Sequence, residues 1–148
     1  MSTYLQIHYH IVFGTKFRIP CLEKDHRDLL FRYIWGVLNN NRCHLYRING
    51  MEDHIHILTH LHPAVGLSSL VKDIKLASNS WIKKENLFPA FKGWQKGYGA
   101  FTHHINDKER LIRYIKNQEE HHKKVSWPEE LKALLEEHGI SYKEKYLL

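Results

Sequence analysis

From Tyr4 to Phe13 the chain alternates: Leu5, Ile7, Tyr9, Ile11 and Phe13 fall on one side, Gln6, His8 and His10 on the other. A period of two belongs to a β-strand with one face on a core. The loop GTKFRIPCLEKD follows, broken by Gly14 and Pro20, and then Leu30, Tyr33, Ile34 and Val37 recur at helical spacing. They predict a helix over about 23–40, stopped by the run NNN. CHLYRIN (43–49) reads as a second strand, GMED as a turn and HIHILTHL as a third strand, so the two strands form a hairpin. A second helix is predicted over about 66–85. Its apolar stripe is Leu67, Leu70, Val71, Ile74, Ala77 and Trp81, with Ser68, Lys72, Lys75 and Asn79 off it.

The aromatic, glycine-spaced KGWQKGYGAFT (92–102) predicts a fourth strand. The charged run DKERLIRYIKNQEEHHKK predicts a helix over 107–124 with its N-cap at Asn106 or Asp107. Its strong hydrophobes are Leu111, Ile112 and Ile115 alone, a stripe narrow enough to place it on the outside or against a partner chain. SWPEE opens a slightly acidic tail, 126–148, with a short helix at about 129–138. The order β-α-β-β-α-β plus a C-terminal helix predicts an α+β fold: a ferredoxin-like or RRM-like antiparallel sheet with two helices on one face. There is no internal repeat or low-complexity segment, so the chain divides into one folded unit, 1–125, and the tail, 126–148.

The 148 residues are 43% hydrophobic, enough for one domain with a real core. No stretch approaches 18 uninterrupted apolar residues, and MSTYLQIHYH lacks the basic start and apolar run of a signal peptide, so a cytoplasmic protein is expected. Cys21 and Cys43 are too few and too far apart for a disulfide framework or a thiolate zinc site. The net charge of +6 favours a polyanionic partner without establishing one.

Thirteen histidines change the picture, because they gather in HYH (8–10), HIHILTHLH (54–62), THH (102–104) and EEHH (119–122). On the third strand His54, His56 and Leu58 share a face, so two imidazoles stand side by side at a spacing that can hold a metal. In the predicted topology the first and third strands are central neighbours, which brings His8 and His10 close, either as supporting or partner-contacting groups or as plain surface residues. His103, His104, His121 and His122 read as surface. A third ligand must come from elsewhere, and the last charged helix offers Tyr114 and Gln118, four apart on one face, with Arg110 and His121 extending it.

These residues resemble the single-tyrosine HUH transposases, small enzymes of bacterial insertion sequences that move as single-stranded DNA. The resemblance rests on DHIHIL, YIKNQ, the opening YHIVFGTKFR and LSSLVKDIKLASNSWI, and runs over about residues 4–124. It implies that His54, His56 and Gln118 bind Mg²⁺ or Mn²⁺ and that Tyr114 is the nucleophile. Attack by Tyr114 would leave a 5′-phosphotyrosyl intermediate and a free 3′-OH, and reversal by another 3′-OH would rejoin strands at hairpin-flanked element ends. It also implies a homodimer in which the tyrosine helix of one subunit can serve the histidine pair of the other, in a bacterial cytoplasm, at the nucleoid when DNA is bound.

The chemistry suits the residues. Neutral ligands leave the cation its full charge for the scissile phosphate, and a phenol with an ordinary pKa of about 10 needs such help to attack. No glycine-rich phosphate loop is present, and none is needed for strand transfer. Lys16, Arg18, Lys72 and Lys75, with Lys83, Lys84, Lys92 and Lys96, could follow a phosphate backbone while Trp94, Tyr98 or Phe101 stacks on bases. Two other classes compete. One is a domesticated or inactive relative that only binds hairpin DNA, the other a metal hydrolase that uses water and would not need Tyr114.

Overall fold

A computed structural model describes residues 2–147. Strand β1 (His8–Gly14) is followed by a short 3-10 turn at Lys16–Arg18, helix α1 (Lys24–Asn40), strands β2 (His44–Gly50) and β3 (His54–His60), helix α2 (Leu67–Glu85) and strand β4 (Gly99–Phe101). A 3-10 turn at Ile105–Asp107 leads into helices α3 (Lys108–Lys116), α4 (Gln118–His121) and α5 (Trp127–Glu137), and another lies at Glu144–Tyr146. All strand pairs are antiparallel, in the order β2-β3-β1-β4. This is the expected α+β, ferredoxin-like arrangement, with β1 and β3 at its centre.

Alternation along β1 and β3 builds the main core. Ile11, Phe13, Ile55 and Ile57 project from one face and are buried with Leu30, Ile34 and Leu38 of α1 and Leu70, Val71 and Ile74 of α2. The α2 stripe runs on through Ser78 and Ile82, while Trp81 is half-buried and stacks on Tyr33 with ring centroids 4.5 Å apart. Leu5 and Ile7 lie before β1 and are exposed, so the strand is shorter than the alternation suggests.

The opposite face is covered rather than open. Leu111 and Ile115 of α3 pack on Leu58, and Trp127, Leu131 and Leu134 of α5 pack on Val12 and Phe101. The segment that reads as a tail therefore carries a helix built into the fold. Ser126 starts it with a reciprocal capping box to Glu129, which fixes the first turn two residues before the expected start.

Two further expectations are corrected. The fourth strand is only Gly99–Phe101, because the residues before it, apart from a lone Thr15–Trp94 bridge, leave the sheet, and Gly93 and Gly97 take positive φ there. The helix expected over 107–124 is interrupted at Asn117, where ψ is 24°; the Asn49 amide of β2 donates to the carbonyls of Ile115 (2.9 Å) and Lys116 (3.1 Å), ending α3 there. Asp107 occupies the N-cap position of α3 but makes no side-chain cap bond; instead His104 accepts from the Asn106 amide in the preceding 3-10 turn.

Candidate metal and tyrosine site

Alternation puts His10 and Val12 of β1 and His54, His56 and Leu58 of β3 on the face covered by α3 and α5. His54, His56 and Gln118 are fully buried there, and His10 is as well. His8 is also buried and bonds to the Gln6 amide, so neither of the first two histidines is a surface residue.

Each central imidazole is held by its Nδ1. His54 Nδ1 lies 2.7 Å from an Asp53 carboxylate oxygen, His56 Nδ1 lies 2.8 Å from His10 Nε2, and His122 Nδ1 lies 2.6 Å from the Val125 carbonyl. The three Nε2 atoms consequently face one point, occupied by Glu130 Oε1 at 3.1, 3.0 and 3.0 Å respectively. The other oxygen, Oε2, accepts from the Tyr114 hydroxyl and from Gln118 Nε2 at 3.0 Å. Gln118 Oε1 lies 3.2 Å from His54 Nε2 and 2.9 Å from His122 Nε2. The indole of Trp127 stacks on His54, centroids 4.3 Å apart and planes 6° apart. Gly14 permits this approach: a Cβ there would meet Trp127 Nε1 at 2.9 Å and the Gln95 side chain at 2.5 Å.

Burial sets the protonation. It lowers His10 well below the usual imidazole value and His56 to about 4, despite the neighbouring Glu130 carboxylate, so both are neutral at pH 7. Burial also opposes charge on His54, but its hydrogen bonds to the Asp53 and Glu130 carboxylates outweigh it and raise that group. For Glu130 burial alone would raise the carboxyl; hydrogen bonds to His122, His54 and His56 win and hold it far below the ordinary range. Burial, reinforced by the charge of Glu130, pushes the Tyr114 phenol up. Without a cation the phenol is a poor nucleophile at neutral pH.

Tyr114, His54, His56 and Gln118 thus meet within one chain, with Tyr114 and His56 ring centroids 5.8 Å apart. His122 and Glu130 join them without having been singled out by the sequence patterns. His122, expected at the surface, is nearly buried; the His54, His56, His122 and Glu130 ligand atoms all lie within 4.8 Å of one another, a donor set suited to a divalent metal. Glu130 does carry a readable signal: once Ser126 and Glu129 are taken as a capping box, Glu130 falls in the stripe of Trp127, Leu131 and Leu134, an acid on an apolar face. A cavity of about 240 Å³ opens beside Tyr114 and Glu130, lined also by His10, His103, Arg110 and His121.

The expected DNA-contacting cations lie elsewhere. Lys16 and Arg18 are exposed on the turn after β1, where Phe17 and Arg18 both take left-handed backbone and the Phe17 ring is 73% exposed. Lys72 is exposed on α2, whereas the Lys75 ammonium donates to the Gln95 carbonyl at 2.9 Å and to the Gly97 carbonyl. Trp94 and Phe101 are core residues rather than free stacking platforms; Trp94 meets Phe13 edge-on at 5.0 Å and donates to Ser78. A groove beside the tyrosine, lined by Arg110, Arg113 and Lys124, adds cations that charge patterning alone does not set apart. Among the described residues no helix is long and apolar enough to cross a membrane.

The chain is 25% identical over 118 residues to the ISDra2 transposase TnpA of Deinococcus radiodurans, spanning 76% of this chain and 84% of that protein. A solved candidate transposase from Deinococcus radiodurans R1 superposes with a TM-score of 0.61 at 24% identity, covering 80% of this chain and 95% of its own. A REP-associated tyrosine transposase bound to a REP hairpin gives a TM-score of 0.63 at 17% identity, over 84% of this chain and 76% of its own. The family described as "Transposase IS200 like" matches residues 3–118, and the chain belongs to that family.

Proposed function

We propose that this transposase cleaves and rejoins single-stranded DNA through Tyr114, in a reaction that needs Mg²⁺ or Mn²⁺ held at the histidine face of the sheet. The observation that carries the reading is the convergence of Tyr114, His54, His56 and Gln118 on one buried point inside a single chain. His54 and His56 offer Nε2 atoms as metal donors, and Gln118 stands against the first of them. A bound divalent cation would polarise the scissile phosphate and favour the phenolate. The Tyr114 oxygen then bonds to phosphorus while the bond to the 3′ oxygen breaks with its electron pair. The protein keeps the 5′-phosphate as a tyrosine ester and releases a 3′-OH.

Substrate contacts follow from charge. Arg110, Arg113 and Lys124 line the groove beside Tyr114 and suit the strand being cut. Lys16, Arg18 and Lys72 suit a flanking hairpin, with Phe17 exposed for stacking; a hairpin is what the REP-associated relative binds. Lys75, bonded to two carbonyls, serves there by its charge alone. The unit 1–125 supplies Tyr114 and the histidines, and α5 of the tail sets Glu130 against them. Two such chains are expected to act as a homodimer.

The test is a denaturing-gel assay for a covalent protein–DNA adduct on single strands from both flanks of the gene, with Mn²⁺ or Mg²⁺. Wild-type protein is expected to form the adduct and Tyr114→Phe none. Binding without an adduct on either strand would favour the hairpin-binding relative, and equal cleavage by the Phe variant a water-using hydrolase.

A further inference from the structure

We propose that the metal centre of this chain is a four-donor set, His54, His56, His122 and Glu130, in which Gln118 positions imidazoles instead of ligating. The inference rests on the metal-dependent reading above and changes who holds the ion. Three imidazoles and one carboxylate meet at a single point, and they come from β3, from the residue just after α4, and from α5. The case lies in how each imidazole is secured. A ligating histidine characteristically has its second nitrogen fixed by a carboxylate, a carbonyl or another polar group, which sets the tautomer and aims the free nitrogen. Here Asp53, His10 and the Val125 carbonyl do this for His54, His56 and His122 in turn. A histidine merely packed in a core has no reason to share both the pattern and the target with two others.

Gln118 fits the supporting role. Its Oε1 sits against His54 Nε2 and His122 Nε2, and its Nε2 donates to Glu130 Oε2, so it touches the donors from the side while the carboxylate faces all three imidazoles. Glu130 also has an oxygen to spare. Oε1 faces the imidazoles and Oε2 accepts from the Tyr114 hydroxyl, so one carboxylate ties the nucleophile to the metal position. Four protein donors leave about two positions of a six-coordinate ion for phosphate oxygens, and the cavity beside Tyr114 and Glu130 supplies their way in.

The donor set also selects the ion. Imidazole-rich sites follow the transition-metal affinity order, while Mg²⁺ prefers oxygen donors and retains water. Mn²⁺ should therefore bind more tightly than Mg²⁺.

The experiment is a titration of the full chain with Mn²⁺, without DNA, read by the loss of the free-ion electron paramagnetic resonance signal and repeated in competition with Mg²⁺. Thermal melting of each variant confirms that it folds. Glu130→Gln, which retains the shape and a hydrogen bond to Tyr114, and His122→Gln are each expected to weaken Mn²⁺ binding at least about tenfold, and Gln118→Ala less than either. As a second reading, Co²⁺ should give the visible absorption of a nitrogen-rich site in the wild type, diminished in both ligand variants. Wild-type affinity in both Glu130→Gln and His122→Gln, with loss in Gln118→Ala, would overturn the four-donor set and leave the tyrosine reading standing. A wild type that binds neither Mn²⁺ nor Co²⁺ would overturn both. Tighter binding in Glu130→Gln would show the carboxylate to be a plug and overturn the proposal as well.

Discussion

Individual side chains in this protein are asked to be two things at once, and the local environment decides which wins. His10 looks like a polar-face residue in a half-buried strand, yet burial keeps it neutral and leaves Nε2 to hold His56. Lys75 is the same conflict with a cation. It lies off the apolar stripe of α2 but is tucked over the Phe13 ring, 5.1 Å from its centroid, with two carbonyls on its ammonium. Burial lowers it to about 8 from an ordinary value of 10.5. Between those values the unfolded chain carries a proton that the folded chain has lost, so stability contributed through Lys75 rises with pH across that window. Wild type is therefore expected to gain stability relative to Lys75→Met as the pH is raised from about 8 to 10.5, measured by urea unfolding at each pH. A difference that stays constant, or moves the other way, would mean the carbonyls hold the full charge in place.

Elements, more than residues, place the site, and the break between α3 and α4 shows how. Asn49 reaches across from β2 to cap α3, so the turn that carries Gln118 starts where the sheet allows it to start. Asn49→Ala removes both bonds from the last carbonyls and is expected to cost about 1–2 kcal/mol in urea unfolding. The same change should slow adduct formation by more than the stability loss explains, because Tyr114 and Gln118 lie on either side of the break. Unchanged adduct rates would show that the break does not set their geometry. This is also where legibility in the sequence ends. Strands β1 and β3, helices α1 and α2, and the pairing of His54 with His56 follow from periods of two and 3.6, which register local burial. Asn49 capping a helix far along the chain follows from no local pattern, and neither does His122 turning inward after a broken turn. Glu130 is half legible. The capping box marks the helix and its register, but an acid within an apolar stripe has meaning only once three imidazoles are known to face it.

At the scale of the molecule the sheet sets Lys72 of α2 apart from the cations beside Tyr114, and under the proposed function the two basic regions are expected to do different work. Lys72 rides on α2, packed on the face opposite the histidines, and Lys16 and Arg18 sit on the exposed turn after β1. Arg110, Arg113 and Lys124 lie on the histidine side, in the groove that contains Tyr114. Cations far from the reacting phosphate would contribute to binding the ground state and the transition state alike, while those in the groove would also fix the strand in line with the phenol. Replacing Lys16, Arg18 and Lys72 together by Ala should weaken binding of a hairpin-bearing single strand and flatten its dependence on salt, by about 0.7 in the log–log slope for each single-strand phosphate that is no longer neutralised. The adduct rate at saturating DNA should be nearly unchanged. Replacing Arg110, Arg113 and Lys124 should do the converse, lowering the saturated rate more than the affinity. Fluorescence anisotropy across a salt series, paired with single-turnover adduct formation, separates the two. If both triple variants lose affinity and rate in equal proportion, the two regions form one continuous DNA path and the division of labour across the sheet is wrong.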